Sequence, residues 1–136
     1  MSRYGLTYVK SICIHATVDK SLRYILDPEK TEDMVLTTSI SNYLSITDNT
    51  ASCLSTVVGY YNVTTKIRIE QTLQKKNGSS WSDKVIFTNT YNTNVAIYST
   101  QKSGLASGTY RLKTVAKVYS GDDYETVTKY SSTHTC

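Results

Sequence analysis

Residues 63–91 read VTTKIRIEQTLQKKNGSSWSDKVIFTNTY, two long runs joined by a short polar turn. In the first run Val63, Ile67, Ile69 and Leu73 share one parity, while Lys66, Arg68, Glu70 and Gln74 share the other. Successive side chains of a strand point to opposite faces, so this spacing predicts one buried face and one wet, charged face. Asn77-Gly78 tolerates positive φ and the second run begins at Trp81, which predicts a β-hairpin. The hairpin says how the chain folds. It supplies no catalytic constellation.

Outward from this hairpin the texture stays β. Strands are predicted near 37–46, 51–58, 63–76, 81–89, 95–99, 109–119 and 124–130. The breaks carry turn chemistry: Asp48-Asn49, Gly59, Asn77-Gly78, residues 92–94, residues 104–108 and Gly121-Asp122-Asp123. Seven short strands at near-regular spacing predict an all-β antiparallel sandwich over residues 35–136. Tyr110, Leu112, Ala116 and Val118 form its expected inward face in the sixth strand, with Arg111, Lys113, Lys117 and Tyr119 opposite. Residues 1–34 read differently. Tyr8–Ala16 is strand-like, Leu22, Ile25 and Leu26 sit at helical spacing before Pro28, and DPEKTED (27–33) is a polar boundary. The expectation is a strand–helix appendage ahead of one β domain.

Composition agrees with sheet. The 136 residues include 17 Ser, 21 Thr and 12 Tyr against one Pro, and Thr and Tyr suit a pleated, half-buried surface. No apolar run reaches the length of a membrane span, and Arg3, Lys10, His15, Asp19 and Lys20 interrupt any signal-peptide core, so the chain as written is expected in the cytoplasm. Its net charge of +4 falls wholly after residue 34. The cations there are spread along strand faces, which suits a solvated sheet better than a nucleic-acid footprint.

Cys13, Cys53 and Cys136 form no CxxC, and His15 and His134 are the only histidines, so neither a metal site nor a cofactor is expected. Cys53–Cys136 is the most plausible bridge in an oxidising compartment, since both cysteines fall in the β part. Glu70, Asp83, Asp122, Asp123 and Glu125 show no glycosidase-like pairing, and no histidine is placed for a nucleophilic triad.

Two resemblances add to this reading. The stretch YVKSICIHATVDKSLRYILDPEKTEDMVLTTS resembles the extreme N-terminus of relaxases, the mobilisation nucleases of conjugative elements, in their Firmicutes form. The resemblance implies that Tyr24 matches the tyrosine that attacks a DNA phosphodiester. The partners of that chemistry are missing: a phenol is a weak nucleophile at neutral pH, and no H-x-H-x-N-x-H metal cluster follows. Tyr24 is therefore expected to be an ordinary amphipathic tyrosine, with a relic nucleophile in DNA processing as the alternative. From about residue 37 onward, YLSITDNTASC, TTKIRIEQTLQKKNGSSWS, SGTYRLKTVAKVYSG and ETVTKYSSTHTC resemble a family of small exported Gram-positive proteins of unassigned function. That resemblance implies a single β-sandwich without a known catalytic site. Relatives begin with a signal peptide where this chain has the relaxase-like start, which implies a fusion within a mobile element.

The expected function is accordingly a non-catalytic interaction or envelope-associated module. Trp81 is expected to anchor the core, with stacking on sugar rings as the alternative. Tyr60, Tyr61 and Tyr119 raise the same question. Lys75 and Lys76 at the hairpin tip are expected to be solubilising charges, or contacts for an anionic partner. The candidate partners are a glycan, a cell-wall polymer or another protein, with DNA only under the relaxase alternative.

Overall fold

The structure, a computed structural model, describes residues 34–136. Its strands are β1 (Thr37–Thr47), β2 (Thr50–Gly59), β3 (Lys66–Asn77), β4 (Ser80–Tyr91), β5 (Val95–Lys102), β6 (Thr109–Ser120), β7 (Asp123–Tyr130) and a short β8 (His134–Thr135). Three connections are two-residue hairpins. Thr47 pairs with Thr50 across Asp48-Asn49, whose φ values of 51° and 63° make the primed turn that matches strand twist. Asn77 pairs with Ser80 and Ser120 with Asp123, and in each case a glycine (Gly78, φ 67°; Gly121, φ 62°) opens the turn. The Asn-Gly signal thus marks the right hairpin, but Gly78-Ser79 are its central residues.

All pairings are antiparallel, and the strands form two sheets. The first has the order β1-β2-β5, the second β4-β3-β6-β7, with β8 also on β6. An immunoglobulin constant-type sandwich puts strands one, two, five and four in one sheet and three, six and seven in the other. This chain follows that arrangement except that its fourth strand has changed sheets and pairs with β3. A local feature agrees. Tyr110, near the start of β6, donates its hydroxyl to the Ala106 carbonyl at 2.7 Å, the tyrosine corner that pins the fifth-to-sixth strand crossing in such sandwiches.

The core lies between the sheets as two apolar clusters. One holds Leu44, Ile46, Ala51, Cys53, Leu73, Leu105, Tyr110 and Leu112; the other holds Met34, Ile40, Val57, Ile67, Ile69, Ala96, Ala116 and Val118. Between them four strands each contribute a polar inward residue at one level: Asn42 on β1, Ser55 on β2, Gln71 on β3 and Thr114 on β6. Buried polar atoms need partners, and these find one another. Asn42 Nδ2 donates to the carbonyls of Leu112 and Lys129 and to Thr114 Oγ1. Thr114 Oγ1 meets Ser55 Oγ at 2.8 Å, Gln71 Nε2 donates to Ser55 Oγ at 2.8 Å, and Thr100 Oγ1 donates to Gln71 Oε1 at 2.6 Å. A hydrogen-bonded belt therefore crosses the sandwich from β7 to β5.

Two anchors close the domain at the β2–β3 end. The Glu125 carboxylate accepts from Val35 N at 2.8 Å and Leu36 N at 3.0 Å, tying the chain before β1 to β7. Thr64 Oγ1 accepts from Tyr60 N and donates to Leu36 O. A Cβ on Gly59 would come within 2.6 Å of the Thr64 Cβ and Cγ2, so this packing requires glycine.

Some expectations need correction. Val63 is not a core residue: β3 begins at Lys66, and Val63 sits in the preceding turn with 43% exposure. The Cys53–Cys136 bridge is not formed. Cys53 is a free thiol inside the first cluster, and Cys136 is disulfide-bonded, but not to Cys53. Cys53 points inward from β2 because it shares parity with Ala51, Ser55 and Val57, which commits its sulfur to the core. The expected strand–helix appendage, Tyr24 included, lies outside the described residues.

Candidate functional site

The two outer faces of the sandwich differ in charge. Strand alternation and register place Ser39, Ser41, Tyr43, Leu54, Thr56, Val58, Val95 and Ile97 among the outward residues of the three-stranded sheet, which bears no charged side chain on that face. The five-stranded sheet carries the ions. Lys66, Arg68, Glu70, Gln74 and Lys76 of β3 point outward beside Arg111, Lys113, Val115, Lys117 and Tyr119 of β6. β7 adds Tyr124, Thr126, Thr128 and Tyr130 at the same parity. From Lys66 to Lys76 this surface extends about 30 Å at the usual rise per strand residue.

Aromatic rings hold the cations in place at both ends. At one, Lys66 Nζ lies 4.2 Å from the Tyr119 ring centre and Lys117 Nζ lies 4.8 Å from that of Tyr124, while the two rings pack 5.3 Å apart. At the other, the Arg111 guanidinium sits 4.3 Å from the ring centres of both Trp81 and Tyr130. Arg111 Nε also donates to Gln74 Oε1 at 2.8 Å, and Gln74 Nε2 donates to Asp83 Oδ1 at 2.9 Å. Such contacts are worth about 0.5–1 kcal/mol each at exposed sites and bias these side chains towards the rings. The rings are capped by cations. The surface is a positive plane with covered rings, not a bare aromatic platform.

Trp81 reaches this plane because of a bulge. The register runs Leu73 with Val85 and then Gln74 with Asp83, so Lys84 is an extra residue in β4. Strict alternation would keep Trp81, Asp83 and Val85 on one face. The bulge leaves Val85 against the core and turns Asp83 and Trp81 outward, so Trp81 is half-buried on Arg111 and not a core anchor.

The other candidates divide. Tyr119 belongs to the plane, and Lys76 shares its parity opposite Trp81. Lys75, one residue away, has the opposite parity and lies 6.0 Å from the ring centre of Tyr110, so the two lysines of the tip do not act together. Tyr60 and Tyr61 stay in the turn before β3, Tyr61 with 79% exposure. Sequence reading placed Arg111 on the outward face but had no signal for its stacking between two rings from different strands. Cross-strand register, shifted by the β4 bulge, brings Trp81 and Tyr130 to it.

Cys53 offers no reactive thiol. Burial pushes its pKa up to about 11, against a smaller opposing effect from its hydrogen bond with Thr100, so it stays protonated near neutrality. Among the described residues no group of three or more His, Cys, Asp and Glu is placed to hold a metal ion, and no helix is long and apolar enough to cross a membrane.

Fold and surface together define an immunoglobulin-like sandwich with one uncharged and one cationic outer face. No protein-family model, no curated protein and no solved structure matches the chain.

Proposed function

We propose that this protein is a non-catalytic recognition module that lays an extended anionic polymer, such as an acidic glycan or wall polymer, along the outer face of β4-β3-β6-β7. The observation that carries this reading is the row of Lys66, Arg68, Lys113, Lys117 and Arg111 on two adjacent strands, of which Lys66, Lys117 and Arg111 lie against aromatic rings. The acids of that face are Glu70 and Asp83, and Asp83 is engaged by Gln74. Gathering like charges raises their mutual repulsion, and a polyanion relieves it. Rings already covered by cations favour charged polymers over neutral sugars, whose recognition would need open ring faces.

The test is binding of the whole chain to an acidic polysaccharide, a polyol-phosphate polymer and a neutral glucan at low and high salt. Binding to the two acidic polymers alone is expected, weakening as salt screens the face. The variant Lys66→Gln/Lys113→Gln/Lys117→Gln should lose affinity by about ten-fold or more. Equal binding to the neutral glucan, no binding to either polyanion, or an unaffected triple variant would refute the reading.

A further inference from the structure

At one end of the sandwich, the tip of the β3–β4 hairpin, the end of β5 and the loop leading to β6 line an open cavity of about 230 Å³. Its wall includes Lys75, Lys84 and Lys102 together with Leu105, Ala106 and Tyr110, and among the described residues no carboxylate lines it. We infer that this cavity is a binding site for a tetrahedral oxyanion, a phosphate or sulfate group.

Each lysine arrives by a separate structural device. Lys84 is the residue that the β4 bulge leaves without a partner on β3. Lys102 ends β5. The Lys75 stem runs over Gly108, where a Cβ would lie only 2.5 Å from Lys75 Cε, so glycine at 108 is what seats it. Three lysines line one cavity, and an anion seated there would draw all three ammonium groups and offset their mutual repulsion.

The wall that they face is held in advance. Leu105 N donates to the Asn49 carbonyl at 2.9 Å, and Asn49 Nδ2 returns a bond to the Leu105 carbonyl at 2.8 Å. The tyrosine corner fixes Ala106 through the Tyr110 hydroxyl. Leu105 is 6% exposed, so the loop is anchored in the core as well. A preformed wall lowers the ordering cost of binding. The cavity is smaller than the roughly 300–1,000 Å³ of pockets for drug-sized ligands, which suits a single charged group. Compact ammonium donors suit the separate oxygens of a tetrahedral anion better than a planar carboxylate, which guanidinium forks grip in pairs. The site is separate from the cationic plane, because Lys75 has the opposite parity to Lys66, Arg68 and Lys76 on β3.

The experiment is an amide-resolved NMR titration of the isotopically labelled whole chain at constant ionic strength. Inorganic phosphate, inorganic sulfate and a hexose phosphate are added in turn, with chloride as the control. Saturable shifts are expected at the amides of Gly104, Leu105, Ala106 and Tyr110 with the oxyanions and not with chloride. A response to inorganic phosphate and sulfate identifies a site for the free ion; one confined to the hexose phosphate identifies a site for the esterified group. Lys84→Gln or Lys102→Gln alone should weaken binding about five-fold, the worth of one charge at contact in water, and Lys75→Gln/Lys84→Gln/Lys102→Gln should abolish saturation. Lys66→Gln/Lys117→Gln should leave it unchanged. Shifts that never saturate, that spread over the sheet face, or that persist in the triple variant would overturn the proposal. Polymer binding by the sheet face is measured separately, so either site can fail alone.

Discussion

Replacing Gln71 by leucine tests the belt that divides the core. Gln71 is fully buried, and its amide donates to Ser55 Oγ at 2.8 Å and to the Tyr98 carbonyl at 3.1 Å while accepting from Thr100 Oγ1 at 2.6 Å. Leucine has nearly the same volume, so the cavity contribution is small. What changes is hydrogen bonding. Ser55 keeps Thr114 as a partner, whereas the Thr100 hydroxyl and the Tyr98 carbonyl each lose their bond to the amide. Leaving a buried polar group unsatisfied costs about 1–3 kcal/mol, and the extra apolar burial of leucine returns part of it, so Gln71→Leu should destabilise by about 2–4 kcal/mol. In urea unfolding this is a clear fall in midpoint at unchanged slope, and in heating a drop of about 8 °C or more. Adding Thr100→Val removes the hydroxyl that has lost Gln71 as its acceptor. The double variant should therefore be more stable than the sum of the singles by about 1 kcal/mol. A neutral or stabilising Gln71→Leu, or strict additivity in the cycle, would refute the view that these residues act as one satisfied network.

Three further outcomes are expected. Cys53 has a folded pKa raised from 9.0 to about 11, so its contribution is full below pH 9 and is lost as pH rises from 9 towards 11, a change of about 2–3 kcal/mol; Cys53→Ala should flatten that part of a stability-versus-pH curve, and an unchanged slope would show that the thiol is not its source. Gly59→Ala drives a methyl group into Thr64 and should cost about 1–3 kcal/mol by urea unfolding, whereas an unaffected midpoint would mean that the β2–β3 turn yields freely. Tyr110→Phe removes the bond to the Ala106 carbonyl but leaves the ring in the core, so a loss of about 1 kcal/mol and faster amide exchange at residues 104–108 are expected, and unaltered exchange would argue against the corner as the loop's anchor.

Much of the strand layout was legible because alternation is a local property. Ile67, Ile69 and Leu73, like Leu112, Ala116 and Val118, announce an inward face through spacing alone, and all six are fully buried. Turn residues with positive φ placed the hairpins to within a residue or two. The belt was harder to read. Asn42, Ser55, Gln71 and Thr114 interrupt apolar runs one strand at a time, and only the pairing of sheets shows that the interruptions share one level.

The same division applies to the candidate sites. The sequence by itself determined an all-β fold for residues 35–136, the parity of the β3 and β6 cations, and where most strands begin and end, because φ preferences and period-two burial act between near neighbours. The tertiary structure decided which strands neighbour each other, and so which rings meet which cations. It took a bulge at Lys84 to turn Trp81 from the core to Arg111, and a crossing from β5 to β6 to bring Lys102 beside Lys75. These outcomes depend on partners far apart in sequence. Parity along one strand carries no information about the register of another.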